Sequence, residues 1–116
     1  AYYTLGQASR PPVALLRESG VSMAVATDCN PGTSPCASLL LAMNMACRLF
    51  ELTAEEALAG VTREAARALG YADGRGTLAP GAPADFVMWD LAAPYELSYW
   101  AGMNRCRTVV RGGIVR

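Results

Sequence analysis

The stretch Val21–Ser34, VSMAVATDCNPGTS, decides how this 116-residue chain is read. Val21 to Thr27 is a short, almost wholly apolar run, bounded by Gly20 before it and Asp28-Cys29-Asn30-Pro31-Gly32 after it. Such a run between turn residues predicts a buried parallel strand. Upstream, Val13–Glu18 (VALLRE) predicts a short helix that Gly20 stops. Downstream, Ser34 and Pro35 supply an N-cap and a first-turn proline for a helix over 36–50. A helix, a glycine, a buried strand, a loop and a second helix make one step of an α/β fold.

Further out, the pattern stays helical and then changes. The helix over 36–50 is apolar nearly all round, so it calls for cover on both sides. Thr53 and Glu56 have the spacing of a capping box, which starts a helix over 54–59 ended by Gly60. Thr62 caps a further helix, 63–69, with Gly70 just past its end. Beyond residue 72, glycines and prolines punctuate the chain. Ala84–Asp90 then reads as a strand, with Asp85 a structural hydrogen-bonding carboxylate at its start. Thr108–Arg111 and Ile114–Arg116 flank Gly112-Gly113 as a β-hairpin. Trp89, Tyr95, Tyr99 and Trp100 are expected to pack this β region. The chain thus divides into an α/β part, 1–72, and a part of small β elements, 73–116. Neither closes on itself: one parallel strand makes no sheet, and three short strands leave edges open.

Composition excludes several chemistries. All ten basic residues are Arg, balanced by ten acidic residues, so no net basic field points to nucleic acid or an anionic membrane. With no Lys and no His, the chain cannot build a Ser-His-Asp or Cys-His site, a lysine Schiff base, a P-loop or a histidine zinc site. No apolar run is long enough to span a bilayer. The four cysteines, at 29, 36, 47 and 106, form no C-x-x-C pair, and all four read as reduced apolar fillers. Charged residues are only 17% of the chain, against roughly 25% in ordinary soluble domains. Some of the surface is therefore expected to be covered by more protein. The chain opens on Ala, with no initiator Met, as expected of a stretch from within a longer polypeptide.

The chemistry concentrates after the predicted strand. Asp28 stands at its carboxyl end, where ligands bind in α/β architectures. Gly32 lets a backbone approach a ligand closely. Asn30 both donates and accepts, and Thr33 and Ser34 carry hydroxyls. A following helix N-terminus would suit a carboxylate or phosphate. The same letters also make a good turn in which Asp28 and Asn30 bond only to nearby backbone, and spacing alone favours that reading. Isolated arginines (Arg10, Arg17, Arg48, Arg63) are most simply solvated or structural.

VSMAVATDCNPGTSP, followed by MNMACRLFELTAEEALAGVTREAARALG and GRGTLAPGAPADFVMWDLAAPYELSYWAGMNRCRTVVRGG, resembles the C-terminal segment of the imidazolonepropionase family, within the amidohydrolase superfamily. The A-T-D-x-N-P-G-[ST] pattern carries most of the specificity. The run Gly76–Val87 is shared more widely, and Ala82 stands where the family often has a basic residue. The resemblance implies the C-terminal part of a metal-dependent (β/α)8 TIM barrel, with strand eight at 21–27 and its covering helix at 36–50, joined to strands of a small composite β-sandwich. It implies zinc or iron as cofactor, held by Asp28 and by histidines from earlier strands. It also implies that Asp28 is the catalytic proton carrier, that Asn30 and Gly32 bind the substrate or product carboxylate, and that Thr33 contacts the imidazolone. The implied reaction hydrolyses 4-imidazolone-5-propanoate to N-formimidoyl-L-glutamate in cytoplasmic histidine degradation, with this segment alone inactive. Its implied partners are the small-molecule substrate and the N-terminal part of the enzyme, with a homodimer as the full-length form and neither nucleic acid nor membrane. Two alternatives stay open: another cyclic amidase or deaminase of the superfamily, and a non-catalytic α/β interaction module.

Overall fold

A computed structural model describes residues 2–116. Its elements are α1 (Val13–Glu18), α2 (Leu39–Phe50), α3 (Ala54–Val61), α4 (Arg63–Ala68), β1 (Phe86–Trp89), α5 (Glu96–Tyr99), β2 (Cys106–Arg111) and β3 (Ile114–Val115). The mixed helix and strand content agrees with the α/β class. No helix among the described residues is long and apolar enough to cross a membrane.

Helix α1 forms as predicted, and Gly20 ends it in a left-handed conformation, φ +65°. The capping box of α3 is complete: Thr53 Oγ1 accepts from the Glu56 N–H at 3.2 Å, and Glu56 Oε2 accepts from the Thr53 N–H at 2.8 Å. Glu56 also receives two hydrogen bonds from Arg17, at 2.6 and 2.8 Å, while Arg17 Nη2 donates to the Glu51 carbonyl at 3.0 Å. One guanidinium therefore ties α1 to the end of α2 and the start of α3, so the clamp Arg17 makes is internal. The Arg17 hydrogen bonds, aided by the Thr53 N–H, hold the Glu56 carboxyl down at about 2.

A carboxylate depressed in the folded state contributes its full stabilisation above the unfolded value, near 4.5, and loses it as pH falls toward 2. Glu56→Gln keeps the cap and removes the charge. Melting temperatures followed from about pH 5 to about pH 2 should fall less steeply for this variant, a differential of about 1 kcal/mol for a pair this open to solvent. Parallel curves would refute the coupling.

Four predictions fail for tertiary reasons. Residues 21–29 carry no regular secondary structure. Burial still alternates along 22–28, with Met23, Val25 and Thr27 half-buried and Ser22, Ala24, Ala26 and Asp28 exposed. The backbone of 22–26, however, makes one hydrogen bond, Val25 N–H to the Gly60 carbonyl at 2.9 Å. A strand needs a neighbour, and the described residues provide none. Gly60 does not stop α3 but lies buried inside it, because a Cβ there would sit 2.8 Å from Val25 Cγ2. Helix α2 begins at Leu39 under a Ser38 cap rather than at 36, because Ser34 is engaged elsewhere. Thr62 likewise makes no cap, its hydroxyl donating back to the Leu58 carbonyl at 2.6 Å.

A small core forms where Val13, Ala46 and Leu52 meet Met23, Val25 and Phe50. Helix α2 packs against α3 and α5, leaving Leu41, Met45 and Leu49 to line an open apolar groove. The β part is an antiparallel sheet of order β1-β2-β3, with Phe86 opposite Val110 and the Gly112-Gly113 turn at positive φ, as the hairpin reading requires. Asp85 has the structural role expected, its Oδ1 accepting from the Gly112 N–H at 2.6 Å. Phe86, Val87, Met88, Val109, Ile114 and Val115 remain exposed, and Val110 alone of the sheet is buried. The aromatics depart from expectation. Tyr95, Tyr99 and Trp100 are exposed around α5, a turn the sequence reading missed, which Asn44 of α2 holds by donating to the Ser98 and Tyr99 carbonyls. The cysteines are all free, as expected, but Cys29 and Cys106 are exposed and fill nothing.

Candidate functional site

Within Asp28–Ser34 the turn reading holds for Asn30, while the Asp28 carboxylate takes no part in the turn. Asn30 serves the turn. Its Oδ1 accepts from Gly32 N at 3.0 Å, Thr33 N at 2.8 Å and Thr33 Oγ1 at 3.2 Å, and its Nδ2 donates to the Asp28 carbonyl at 2.8 Å. An antiparallel bridge between Asn30 and Ser34 closes the loop, with N–H to carbonyl distances of 3.0 and 3.3 Å. Ser34 is buried, and its hydroxyl donates to the Thr27 carbonyl at 2.7 Å.

Asp28 behaves differently. Its backbone carbonyl is used, but its carboxylate makes no hydrogen bond or ion pair among the described residues, and the residue is exposed. It is held at φ +51°, a left-handed conformation that costs an L-residue about 1–2 kcal/mol, least for Asn and Asp. A solvated, unpartnered carboxylate on a strained backbone contributes nothing to this chain's own packing. Strain of this kind collects at ligand sites.

Of the four residues singled out from sequence, Asp28 alone reaches the apolar groove of about 930 Å3 that runs between residues 22–28 and α2. Asn30, Gly32 and Thr33 share its loop but lie outside that lining. At Gly32 an added Cβ would meet only Asn30 Oδ1 at 3.5 Å, an ordinary contact. Nothing among the described residues needs a glycine there, whereas a ligand drawn close to the backbone would. The helix N-terminus expected to face the ligand is displaced, since α2 starts at Leu39 and its Ser38 cap already takes the Leu41 N–H.

A metal fits this donor set only in part. Asp28 offers a hard, accessible oxygen that no internal group neutralises, suited to a divalent ion such as zinc or iron. No group of three or more candidate ligands exists among the described residues. Among the described residues Asp28 could therefore serve as no more than one ligand of several.

The sequence reading missed the role of Ser34, taken there for a helix cap. The signal lay in its tie to Thr27, seven positions away, which no local pattern encodes.

A family model described as the amidohydrolase family matches residues 5–115. An imidazolonepropionase of Ruegeria pomeroyi is 64% identical over 97% of this chain and 28% of its own length. Those of a Polaromonas species and of Cupriavidus metallidurans are 61% and 59% identical, each over 99% of this chain and 27% and 28% of their own lengths. The chain thus spans little more than a quarter of these curated relatives.

Proposed function

Because the chain belongs to the amidohydrolase family, we propose that it is the C-terminal segment of an imidazolonepropionase, hydrolysing 4-imidazolone-5-propanoate to N-formimidoyl-L-glutamate in cytoplasmic histidine degradation. The observation that carries the proposal is identity of 59–64% to proteins of that name across 97–99% of this chain. The unpartnered carboxylate of Asp28 supports it from the structural side.

In this reading residues 1–72 belong to a (β/α)8 barrel and 73–116 to a small composite β-sandwich, with the complete enzyme a homodimer. The unpaired backbone of 22–26, the uncovered side of α2 and the exposed sheet support such an arrangement, since each is a surface that another strand or helix would complete. Ala24 and Ala26 share with Asp28 the exposed parity of this stretch.

The family is generally metal-dependent, and a bound zinc or iron lowers the pKa of water toward neutrality. Asp28 is the ligand this segment contributes. As water adds to the ring carbonyl carbon and the C–N bond breaks, the Asp28 carboxylate takes the proton from the water and passes it to the departing ring nitrogen. Asn30 retains one Nδ2–H for the propionate carboxylate, Gly32 leaves room for that group to approach, and Thr33 Oγ1 contacts the imidazolone.

The test is turnover of 4-imidazolone-5-propanoate by the complete polypeptide. Activity is expected, lost on treatment with chelator and restored by zinc or iron. Absence of turnover in the metal-loaded protein rejects the substrate, and turnover that survives exhaustive chelation rejects the metal.

A further inference from the structure

We propose that Ser34 is a positioning residue whose hydroxyl sets the backbone, and through it the carboxylate, of Asp28. The inference rests on the reading of Asp28 as the reacting carboxylate, but it concerns a residue which that reading leaves unused.

The direction of a side chain follows from φ and ψ of its residue, and these are fixed by the two peptide planes on either side. Both planes flanking Asp28 are pinned by side chains. The plane before it ends in the Thr27 carbonyl, which accepts from Ser34 Oγ at 2.7 Å. The plane after it is held at both ends: the Asp28 carbonyl accepts from Asn30 Nδ2 at 2.8 Å, and the Cys29 N–H donates to Thr27 Oγ1 at 3.3 Å. Left alone, a residue at φ +51° relaxes to negative φ. These three bonds oppose that relaxation.

Of the three bonds, the one from Ser34 comes from the most deeply buried donor. Ser34 is 4% exposed, and its own backbone is locked in the two-way bridge to Asn30, so its hydroxyl is held while it holds. Cys29 is exposed and Asn30 half-buried, where solvent offers substitute partners. Removing the Ser34 hydroxyl therefore frees the plane that determines φ of Asp28, without touching a group that meets substrate.

The experiment uses the complete polypeptide carrying Ser34→Ala, Asp28→Asn and the double substitution. Ser34→Ala is expected to lower kcat about 10- to 100-fold, the size associated with a misplacement near 1 Å, with KM changed less than about threefold. In the Asp28→Asn background the same change should cost less than about twofold, since the carboxylate it positions is gone. A crystal structure of Ser34→Ala should show Asp28 displaced from its left-handed conformation. Where Ser34→Ala fails to fold, Ser34→Cys, which fills the same space with only a weak S–H donor, is put through the same cycle. Wild-type kcat in a folded Ser34→Ala, or an equal loss in both backgrounds, overturns the proposal and leaves Ser34 a structural residue. Normal turnover by Asp28→Asn alone overturns the catalytic reading of Asp28, and this inference with it.

Discussion

Asp28→Asn is expected to lower kcat of the complete enzyme by at least about 10²-fold while leaving its fold intact. Both halves follow from the geometry. The carboxylate has no partner among the described residues, so its loss breaks no internal hydrogen bond. Asn is also the other residue that tolerates a φ of +51°, so the loop need not relax. What the change removes is a negative oxygen able to bind a cation and carry a proton. Asp28→Ala would add backbone strain to the chemical loss and confuse the two. Near-normal turnover by Asp28→Asn would take the residue out of the mechanism. A collapsed fold would show that the carboxylate serves structure instead.

The second large effect concerns Gly76, in the loop after α4. Its φ is +82°, and a Cβ there would lie 2.7 Å from both the carbonyl carbon and oxygen of Thr62 and 2.8 Å from the Arg63 nitrogen. These are backbone atoms at the junction of α3 and α4, so they cannot swing aside as a side-chain tip could. Gly76→Ala should destabilise the protein by about 3 kcal/mol, combining about 1–2 for the left-handed conformation with about 1–3 for overpacking. Gly81→Ala is the control, with φ +86° and nothing within 4 Å of its Cβ. It should cost only the conformational share. Equal losses of melting temperature in the two variants would show that the Thr62 junction yields, and that contact contributes nothing.

Local chemistry made part of this molecule legible from sequence. The capping box at Thr53 and Glu56, the Gly20 and Gly70 stops and the Gly112-Gly113 hairpin all depend on residues near in sequence, or on backbone angles that glycine alone adopts easily. The candidate loop was half legible. Asp28, Asn30, Gly32 and Thr33 were located by type and spacing, but spacing could not say which would turn inward to the backbone and which would stay unpartnered. That division depends on how hydrogen-bond capacity is shared round a closed loop, where Asn30 satisfies three donors and leaves none for Asp28.

What the amino-acid sequence determined by itself is therefore the first four helices in order, the hairpin, and the loop that carries the Asp28 carboxylate. Tertiary structure alone decided that Gly60 is a seat for Val25 rather than a stop, that Ser34 clasps Thr27 rather than capping α2, and that 22–26 lies extended without a ladder. The reason is one of range. Caps and tight turns are settled within a few residues, whereas a strand, a buried hydroxyl or a close-packed glycine acquires its meaning only from the partner that distant parts of a chain bring beside it.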